Sequence, residues 1–196
     1  VRLEPAVEEF AEKGWKPFIP IGGRPFLDYT IQGLMRAGIK EVCLVIGPEH
    51  AAMKEYYTRL DEELPEISID FAIQAKPLGT ADAVYAAKEF VGKDPFLTLN
   101  GDNIYRVDVI KKLLMQREDV CYGIGFEKEH LIANSNFTSE RIKSFAVMEV
   151  DEEMNLLRIV EKPPNPEKYV TKYGILVNMN LWRFTPHIFW ACERIK

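Results

Sequence analysis

The sequence predicts an α/β fold with a Rossmann-like, mixed but mainly parallel sheet flanked by helices. Strand-like apolar runs alternate with helix-like segments over residues 1–116, which is typical of βαβ units and parallel strands. Over residues 117–196, strand-like runs follow one another with little helix between them, which favours antiparallel pairing. A chain of 196 residues, 47% hydrophobic and 28% charged, fits a single globular domain made of these two halves.

The elements of the first half follow from their apolar patterns. Residues 25–38 predict a helix, because apolar side chains recur at helical spacing and Gly38 suits the position after its end. Residues 41–47 form a continuous apolar run, as in a parallel strand covered on both faces. The remaining predictions are a helix over 50–60, strands over 67–73 and up to Asn100, and helices over 80–90 and 107–116.

The second half reads as strands joined by turns and loops. Strands are predicted over 120–126, 145–150, 156–161 and 173–184, with a helix starting at Pro186. The polar residues 151–155 indicate an antiparallel hairpin between two of these strands. Residues 127–140 and 163–172 are polar and without pattern, so we expect surface loops there.

Charge and composition exclude several classes of protein. A net charge of −5 argues against a nucleic-acid surface, which needs a clustered basic face. No apolar window approaches the length of a membrane span, so we expect a cytoplasmic protein without a membrane partner. The three cysteines are widely spaced, and Cys43 and Cys121 lie in apolar runs, which predicts buried, reduced thiols. A homo-oligomer remains possible.

The most informative motif is the carboxylate that follows the strand ending at Asn100. Gly101 and Asp102 come directly after this apolar run. In open α/β sheets, ligands bind beyond the carboxyl ends of the strands, and a carboxylate there can hold a divalent cation against a phosphorylated substrate. The alternative is an ordinary Gly-Asp-Asn turn.

Three further segments carry comparable signals. Residues 16–25 contain three prolines and a Gly-Gly pair, which predicts a presented loop, and not a helix, before the first predicted helix. Residues 74–83 place a glycine between a strand end and a helix, where a flat ligand can approach the main chain. Residues 160–164 place an acid and a base at the end of another strand.

In their order and spacing, these motifs resemble those of the sugar nucleotidyltransferases, or nucleoside-diphosphate-sugar pyrophosphorylases. The resemblance covers nearly the whole chain and implies the nucleotide-diphospho-sugar transferase fold. It also implies the condensation of a sugar 1-phosphate with a nucleoside triphosphate, with Mg²⁺ as cofactor and release of pyrophosphate. Residues 1–5 resemble the end of the family's glycine-rich signature. We therefore expect a fragment that lacks the first strand, with a second metal ligand beyond Lys196.

The resemblance implies roles for individual residues. Residues 1–116 would bind the nucleotide and residues 117–196 the sugar phosphate. Arg2 and Lys16 would be catalytic, Asp102 would bind Mg²⁺, Gln74, Gly79 and Thr80 would bind the nucleotide, and Glu161, Lys162 and Asn178 would bind the sugar phosphate. A side-chain amide matches the edge of uracil or thymine, so UTP or dTTP is favoured.

Some positions depart from the family pattern. Trp15 stands where a proline is usual, and Ala146 and Asn180 stand where relatives often carry glycine, which puts the usual glucose specificity in question. Asp108 is a weaker carboxylate candidate that we expect to cap the following helix, and we expect Arg24 at the surface near a helix start.

Other functions stay open at this point. A glycosyltransferase would typically carry Asp-x-Asp after the strand, whereas Gly101-Asp102-Asn103 lacks the second acid. The further alternatives are a cytidylyltransferase acting on a non-sugar phosphate such as phosphocholine, and a non-catalytic regulatory homologue of the fold.

Overall fold

A computed structural model describes residues 15–195, which form two compact units. The first unit comprises residues 15–121 and 183–195, and the second comprises residues 122–182. The predicted halves meet at residue 116, whereas the first unit continues to residue 121. Residues 183–195, which were predicted to belong to the second half, also group with the first unit. Arg2 lies outside the described residues.

The helices and strands alternate in the first unit and change to successive strands in the second. In chain order they are β1 (Pro20–Ile21), β2 (Arg24–Pro25), α1 (Phe26–Ala37), β3 (Glu41–Ile46), α2 (Ala51–Glu63), β4 (Ser68–Ile73), α3 (Thr80–Ala86), α4 (Lys88–Val91), β5 (Phe96–Thr98), α5 (Val107–Leu114), β6 (Tyr122–Glu127), α6 (Lys128–Asn134), α7 (Ser139–Ile142), β7 (Ala146–Val150), β8 (Leu156–Val160), β9 (Val170–Thr171), β10 (Gly174–Phe184) and α8 (Ile188–Ile195). Over residues 15–195, no helix combines the length and apolar character needed to cross a bilayer.

The core of the first unit is a parallel pair of strands covered by two helices. β3 and β4 pair in parallel from Glu41 opposite Ser68 to Ile46 opposite Ile73, as the βαβ pattern predicts. Apolar side chains of both strands pack against α1 and α2, where Ile31 is 2% exposed and Tyr57 is fully buried. The mixed α/β class is therefore confirmed, with β3 and β4 as a parallel pair beside the antiparallel pairs of the second unit.

The second unit is an antiparallel sheet. β7 pairs with β10 on one side and with β8 on the other, so Val147 lies opposite both Val177 and Val160. The predicted hairpin between β7 and β8 is confirmed. Along β10 the burial alternates, because Val177, Met179 and Leu181 are buried whereas the intervening residues are half-exposed.

Three predicted loops are wrong because they contain helical turns. Residues 127–140 contain α6 and the start of α7, and residues 163–172 contain a 3₁₀ turn over Pro166–Tyr169, followed by β9. The Glu127 carboxylate accepts hydrogen bonds from the N–H groups of Glu129 and His130, and Thr138 accepts one from the N–H of Arg141. These side chains satisfy backbone donors that each helix start leaves open. Lys16–Phe18 forms one 3₁₀ turn, which the φ angle of Pro17 permits.

The cysteines also differ from expectation. None of the three cysteines forms a disulfide within the described residues, but Cys121 is exposed and lies just before β6, which begins at Tyr122. Cys43 is half-buried within β3, and this burial raises the pKa of its thiol to about 11. Cys192 is buried in α8.

Candidate active site

A close contact in the first unit joins two predicted site segments. The ring of Pro17 lies against the backbone of Gly101, where a Cβ atom would sit 3.3 Å from Pro17 Cγ and 3.4 Å from Leu27 Cδ1. Only a residue without a side chain allows this approach unless a neighbour shifts. Lys16 and Asp102 are next to Pro17 and Gly101 in the chain. The contact therefore brings the predicted phosphate-binding lysine and the predicted metal ligand into one region.

Both of these charged side chains are available to a ligand. Lys16 and Asp102 are exposed, and no hydrogen bond or ion pair within residues 15–195 occupies either side chain. An unpaired cation and an unpaired carboxylate in one region can together bind an anion and its counter-cation.

The turn that carries Asp102 is held by bonds that sequence reasoning missed. The hydroxyl of Thr30, a residue only 5% exposed, donates to the Asn103 carbonyl at 3.1 Å. The Asn103 amide donates to the hydroxyl oxygen of Tyr105 at 3.1 Å. Tyr105 is 7% exposed, and burial raises the pKa of its phenol. The sequence contains one signal for these bonds, because Thr30 is a polar residue within the apolar stripe of α1.

Asp108 behaves differently from Asp102. Arg106 Nε donates to Asp108 Oδ1 at 3.0 Å and its Nη2 donates to Oδ2 at 2.9 Å. These bonds hold the pKa of the Asp108 carboxyl below its usual range. The predicted cap is wrong, because α5 begins at Val107 and places Asp108 inside the first turn, where Arg106 occupies its carboxylate.

Gln74 closes the loop that follows β4. Its Nε2 donates to the Gly79 carbonyl at 3.1 Å and to Asp82 Oδ2 at 3.0 Å. Because a carboxylate only accepts, Asp82 fixes the orientation of this amide. Both N–H groups of Gln74 are therefore used within the protein, and its Oε1 accepts no hydrogen bond from the part of the chain that the structure describes.

Gly79 and Thr80 form the start of α3. Gly79 has φ 107° and ψ −179°, a conformation that essentially only glycine adopts. Nothing lies within 4 Å of the place where its Cβ would be, so the main chain here is open to an approaching group. Thr80 is the first residue of α3 and is exposed.

His50 is a further residue at the carboxyl end of β3. The Gly47 N–H donates to His50 Nδ1 at 3.0 Å, which makes Nε2 the protonated nitrogen of the neutral ring. The Trp15 ring meets the His50 ring edge to face at 5.7 Å between centroids. This contact places the residue before Lys16 against the end of β3.

The second unit aligns its own predicted site residues. Asn178 of β10 lies opposite Ala146 of β7, and Val147 lies opposite Val160 of β8. Glu161 follows Val160 directly. The sheet thus collects Asn178, Ala146 and Glu161 at one end, although they are distant in sequence.

Lys162 has an unusual backbone. Its φ is 42°, a left-handed value that costs a non-glycine residue about 1–3 kcal/mol. Glu161 and Lys162 are exposed and make no ion pair with each other or with any other described residue. Within residues 15–195, the acid and the base at this strand end therefore do not form a salt bridge.

The donors present suit magnesium better than softer metals. Among residues 15–195, no three His, Cys, Asp or Glu side chains cluster in a way that could hold a metal ion. Mg²⁺ prefers oxygen ligands, keeps several waters, and is commonly bound by one or two carboxylates together with substrate phosphates. The single exposed carboxylate of Asp102 fits this requirement.

Comparison with known proteins decides the family. The nucleotidyl transferase family model matches residues 7–193. The chain belongs to the nucleotidyl transferase family. The match spans both units, so every candidate site residue except Arg2 lies within the family domain.

Three curated members of this family are similar in sequence. A low-salt glycan biosynthesis nucleotidyltransferase of Haloferax volcanii is 30% identical over 93% of this chain and 47% of its own length. A glucose-1-phosphate thymidylyltransferase of Neisseria gonorrhoeae is 29% identical over 84% and 54%. A heptose 1-phosphate guanylyltransferase of Campylobacter jejuni is 33% identical over 56% and 47%. The chain thus spans about half the length of these relatives.

A solved structure supports the fold. A putative glucose-1-phosphate thymidylyltransferase from Bacillus anthracis has a TM-score of 0.70 at 20% identity, covering 99% of this chain and 70% of that one. The predicted nucleotidyltransferase fold is therefore confirmed.

Proposed function

We propose that the protein condenses a sugar 1-phosphate with a nucleoside triphosphate, UTP or dTTP being favoured, to give a nucleoside-diphosphate sugar and pyrophosphate. The observation that carries this proposal is the Pro17–Gly101 contact, which brings into one region a lysine and a carboxylate that no described residue pairs. The names of the curated relatives agree with this class of reaction. The site of action would be the cytoplasm.

In this mechanism the protein supplies position and charge. An oxygen of the sugar phosphate attacks the α-phosphorus in line, and pyrophosphate leaves, so no covalent nucleophile from the protein is needed. Lys16 would hold triphosphate oxygens with its ammonium group, as would Arg2. Mg²⁺ held by Asp102 would offset the negative charge that develops on the phosphate oxygens.

In the second unit, the exposed side chains would receive the sugar phosphate. The Lys162 ammonium would bind the phosphate, and the Glu161 carboxylate would accept hydrogen bonds from sugar hydroxyls. Asn178 would contact the sugar ring with its amide. Such contacts orient the attacking oxygen, which is how a phosphoryl transfer gains most of its rate.

The choice of base would depend on Gln74 Oε1. Uracil and thymine present an N–H group to such an acceptor, whereas adenine presents a bare ring nitrogen there. Guanine also carries an N–H group, and one relative is named a guanylyltransferase. A purine needs more room beside Lys76 and Pro77, where the proline ring makes the loop stiff. UTP or dTTP is therefore favoured, and GTP is the principal competitor.

The first experiment measures pyrophosphate release by the full-length protein. Each nucleoside triphosphate is combined with glucose, galactose, mannose and N-acetylglucosamine 1-phosphates in Mg²⁺. We expect UTP or dTTP to exceed ATP and GTP by at least about tenfold in kcat/KM. Faster turnover with GTP or ATP would overturn the choice of base, and no turnover with any pair would overturn the reaction.

A variant pair tests the role of Gln74. Gln74→Ala should reduce the preference between bases more than it reduces the best rate. Gln116→Ala is the matched control, because the Gln116 amide also donates to a backbone carbonyl, that of Lys112, but in α5 and the turn after it. An equal loss of preference in both variants would contradict the assignment.

A cytidylyltransferase acting on phosphocholine remains the second candidate function. A binding site for phosphocholine would contain aromatic rings around the quaternary amine. Adding CTP with phosphocholine to the same assay separates the two candidates directly.

A further inference from the structure

Two asparagines of β10 bond to each other in the second unit. Asn178 Nδ2 donates to Asn180 Oδ1 at 2.8 Å, and the backbone N–H of Asn180 donates to Asn178 Oδ1 at 3.0 Å. Both polar atoms of the Asn178 side chain are therefore engaged by the same residue. This holds the Asn178 amide in one orientation.

The backbone at Asn180 is adapted to this arrangement. Asn180 has φ 56° inside an eleven-residue strand, a left-handed conformation that non-glycine residues rarely adopt. Asparagine tolerates it better than most residues and commonly accepts from an N–H two positions along the chain. Glycine would adopt the same φ more easily but would lack the acceptor for Asn178.

The asparagine pair keeps hydrogen-bonding capacity for a ligand. Within residues 15–195, Asn178 retains one N–H and one lone pair, while Asn180 retains two N–H groups and one lone pair. Both residues lie on the half-exposed face of β10, whereas Met179 between them is buried. A hydroxyl both donates and accepts, so two adjacent hydroxyls match this set of groups.

We propose that Asn180 is a positioning residue that orients Asn178 toward two neighbouring hydroxyls of the sugar phosphate. The substrate class is then a sugar 1-phosphate with free hydroxyls on two adjacent ring carbons. This inference rests on the proposed function and adds to it a residue for which the family resemblance implied no role.

The test uses Asn180→Gly in the full-length protein, with the sugar 1-phosphate of the panel that gives the highest kcat/KM. This change keeps the left-handed backbone and removes only the amide. We expect KM for the sugar 1-phosphate to rise about fivefold to tenfold, as for the loss of one or two hydrogen bonds. The turnover number and KM for the nucleotide should stay within about twofold.

Met154→Gly is the matched control, since Met154 also has a positive φ, 70°, in the turn between β7 and β8. It exchanges a left-handed residue for glycine away from the pair and should leave both KM values unchanged. Equal increases in both KM values for Asn180→Gly, or the same increase in the control, would mean a structural role and overturn the inference.

Two further measurements separate this inference from the proposed function. The monodeoxy analogue of the same sugar 1-phosphate should lose affinity in the wild type and lose less in Asn180→Gly. If Asn178→Ala raises the sugar KM while Asn180→Gly behaves as wild type, the positioning role fails and the proposed function stands. If Asn178→Ala leaves that KM unchanged, the sugar assignment of β10 itself is wrong.

Discussion

The two units present their candidate site residues in opposite ways. In the first unit, glycines shape the main chain, through φ 107° at Gly79 and through the close approach of Pro17 at Gly101, while candidate side chains follow them in the chain. In the second unit, Lys162 and Asn180 are themselves left-handed. The first arrangement separates backbone shape from chemistry, and the second combines them in one residue.

This difference changes how a substitution should be interpreted. A change at Lys16 or Asp102 removes a charge and leaves the supporting glycine in place. A change at Lys162 or Asn180 alters a charge or an amide at a residue whose backbone is also strained, by about 1–3 kcal/mol. Variants of the second unit therefore need a control for the backbone, whereas those of the first need a control for the charge alone.

The largest effect is expected in the first unit. Asp102→Asn should lower kcat at least about a hundredfold, because the neutral amide binds Mg²⁺ poorly. The melting temperature should hardly change, since the side chain is exposed and unpaired within residues 15–195. Steady-state kinetics in Mg²⁺ and thermal denaturation check both points.

Asp108→Asn is the control for that experiment. It removes an exposed carboxylate whose partner is Arg106, and a surface ion pair of this kind contributes little to stability. Its activity should match the wild type. Near-normal activity of Asp102→Asn would refute the metal assignment, and loss of activity in Asp108→Asn would add Asp108 to the site.

Lys162→Ala should have the next largest effect. The KM for the sugar 1-phosphate should rise about tenfold through loss of a charge-assisted contact, while KM for the nucleotide stays constant. Alanine and lysine have similar difficulty with a positive φ, so the backbone contribution is unchanged. Lys168→Ala, at another exposed lysine of the second unit, is the control. Equal changes in both KM values would indicate a structural role for Lys162.

The smallest effect on activity is expected for Gly79→Ala. The new Cβ meets no atom, but the backbone becomes strained, which should lower the free energy of unfolding by about 1–3 kcal/mol. Gly92→Ala, at φ 62° after α4, should destabilise the protein similarly. Only Gly79→Ala should raise KM for the nucleotide, by a few fold. The same kinetics in both variants would remove Gly79 from the nucleotide site.

The first unit is the more predictable from sequence, since its signals are local. Gly38 correctly predicts the end of α1, and the apolar run of β3 correctly predicts a parallel strand. Glycine allows conformations closed to other residues and proline fixes φ, so the turns around Gly79 and Gly101 are visible in the sequence. The contact between Pro17 and Gly101 was not predictable, because it joins residues distant in the chain.

The local conformation of the second unit is harder to predict from the sequence. Nothing in the sequence marks Lys162 or Asn180 as left-handed, since neither residue type requires that conformation. The single loop predicted over residues 127–140 contains α6 and the start of α7. Its polar side chains suggest a solvated segment, but those of Glu127 and Thr138 accept hydrogen bonds from backbone N–H groups and cap these helices. The partners of Gln74 in the first unit were equally unpredictable. Its amide was expected to face the base, but its Nε2 donates to the Asp82 carboxylate.

The distribution of the three cysteines makes the protein convenient for site-selective labelling. Cys192 is buried, and Cys43 has a thiol whose raised pKa, about 11, keeps it protonated and slow to react with a maleimide near neutral pH. Cys121 is exposed and is the residue at which the chain leaves the first unit. A dye can therefore be attached at Cys121 without the removal of any native cysteine.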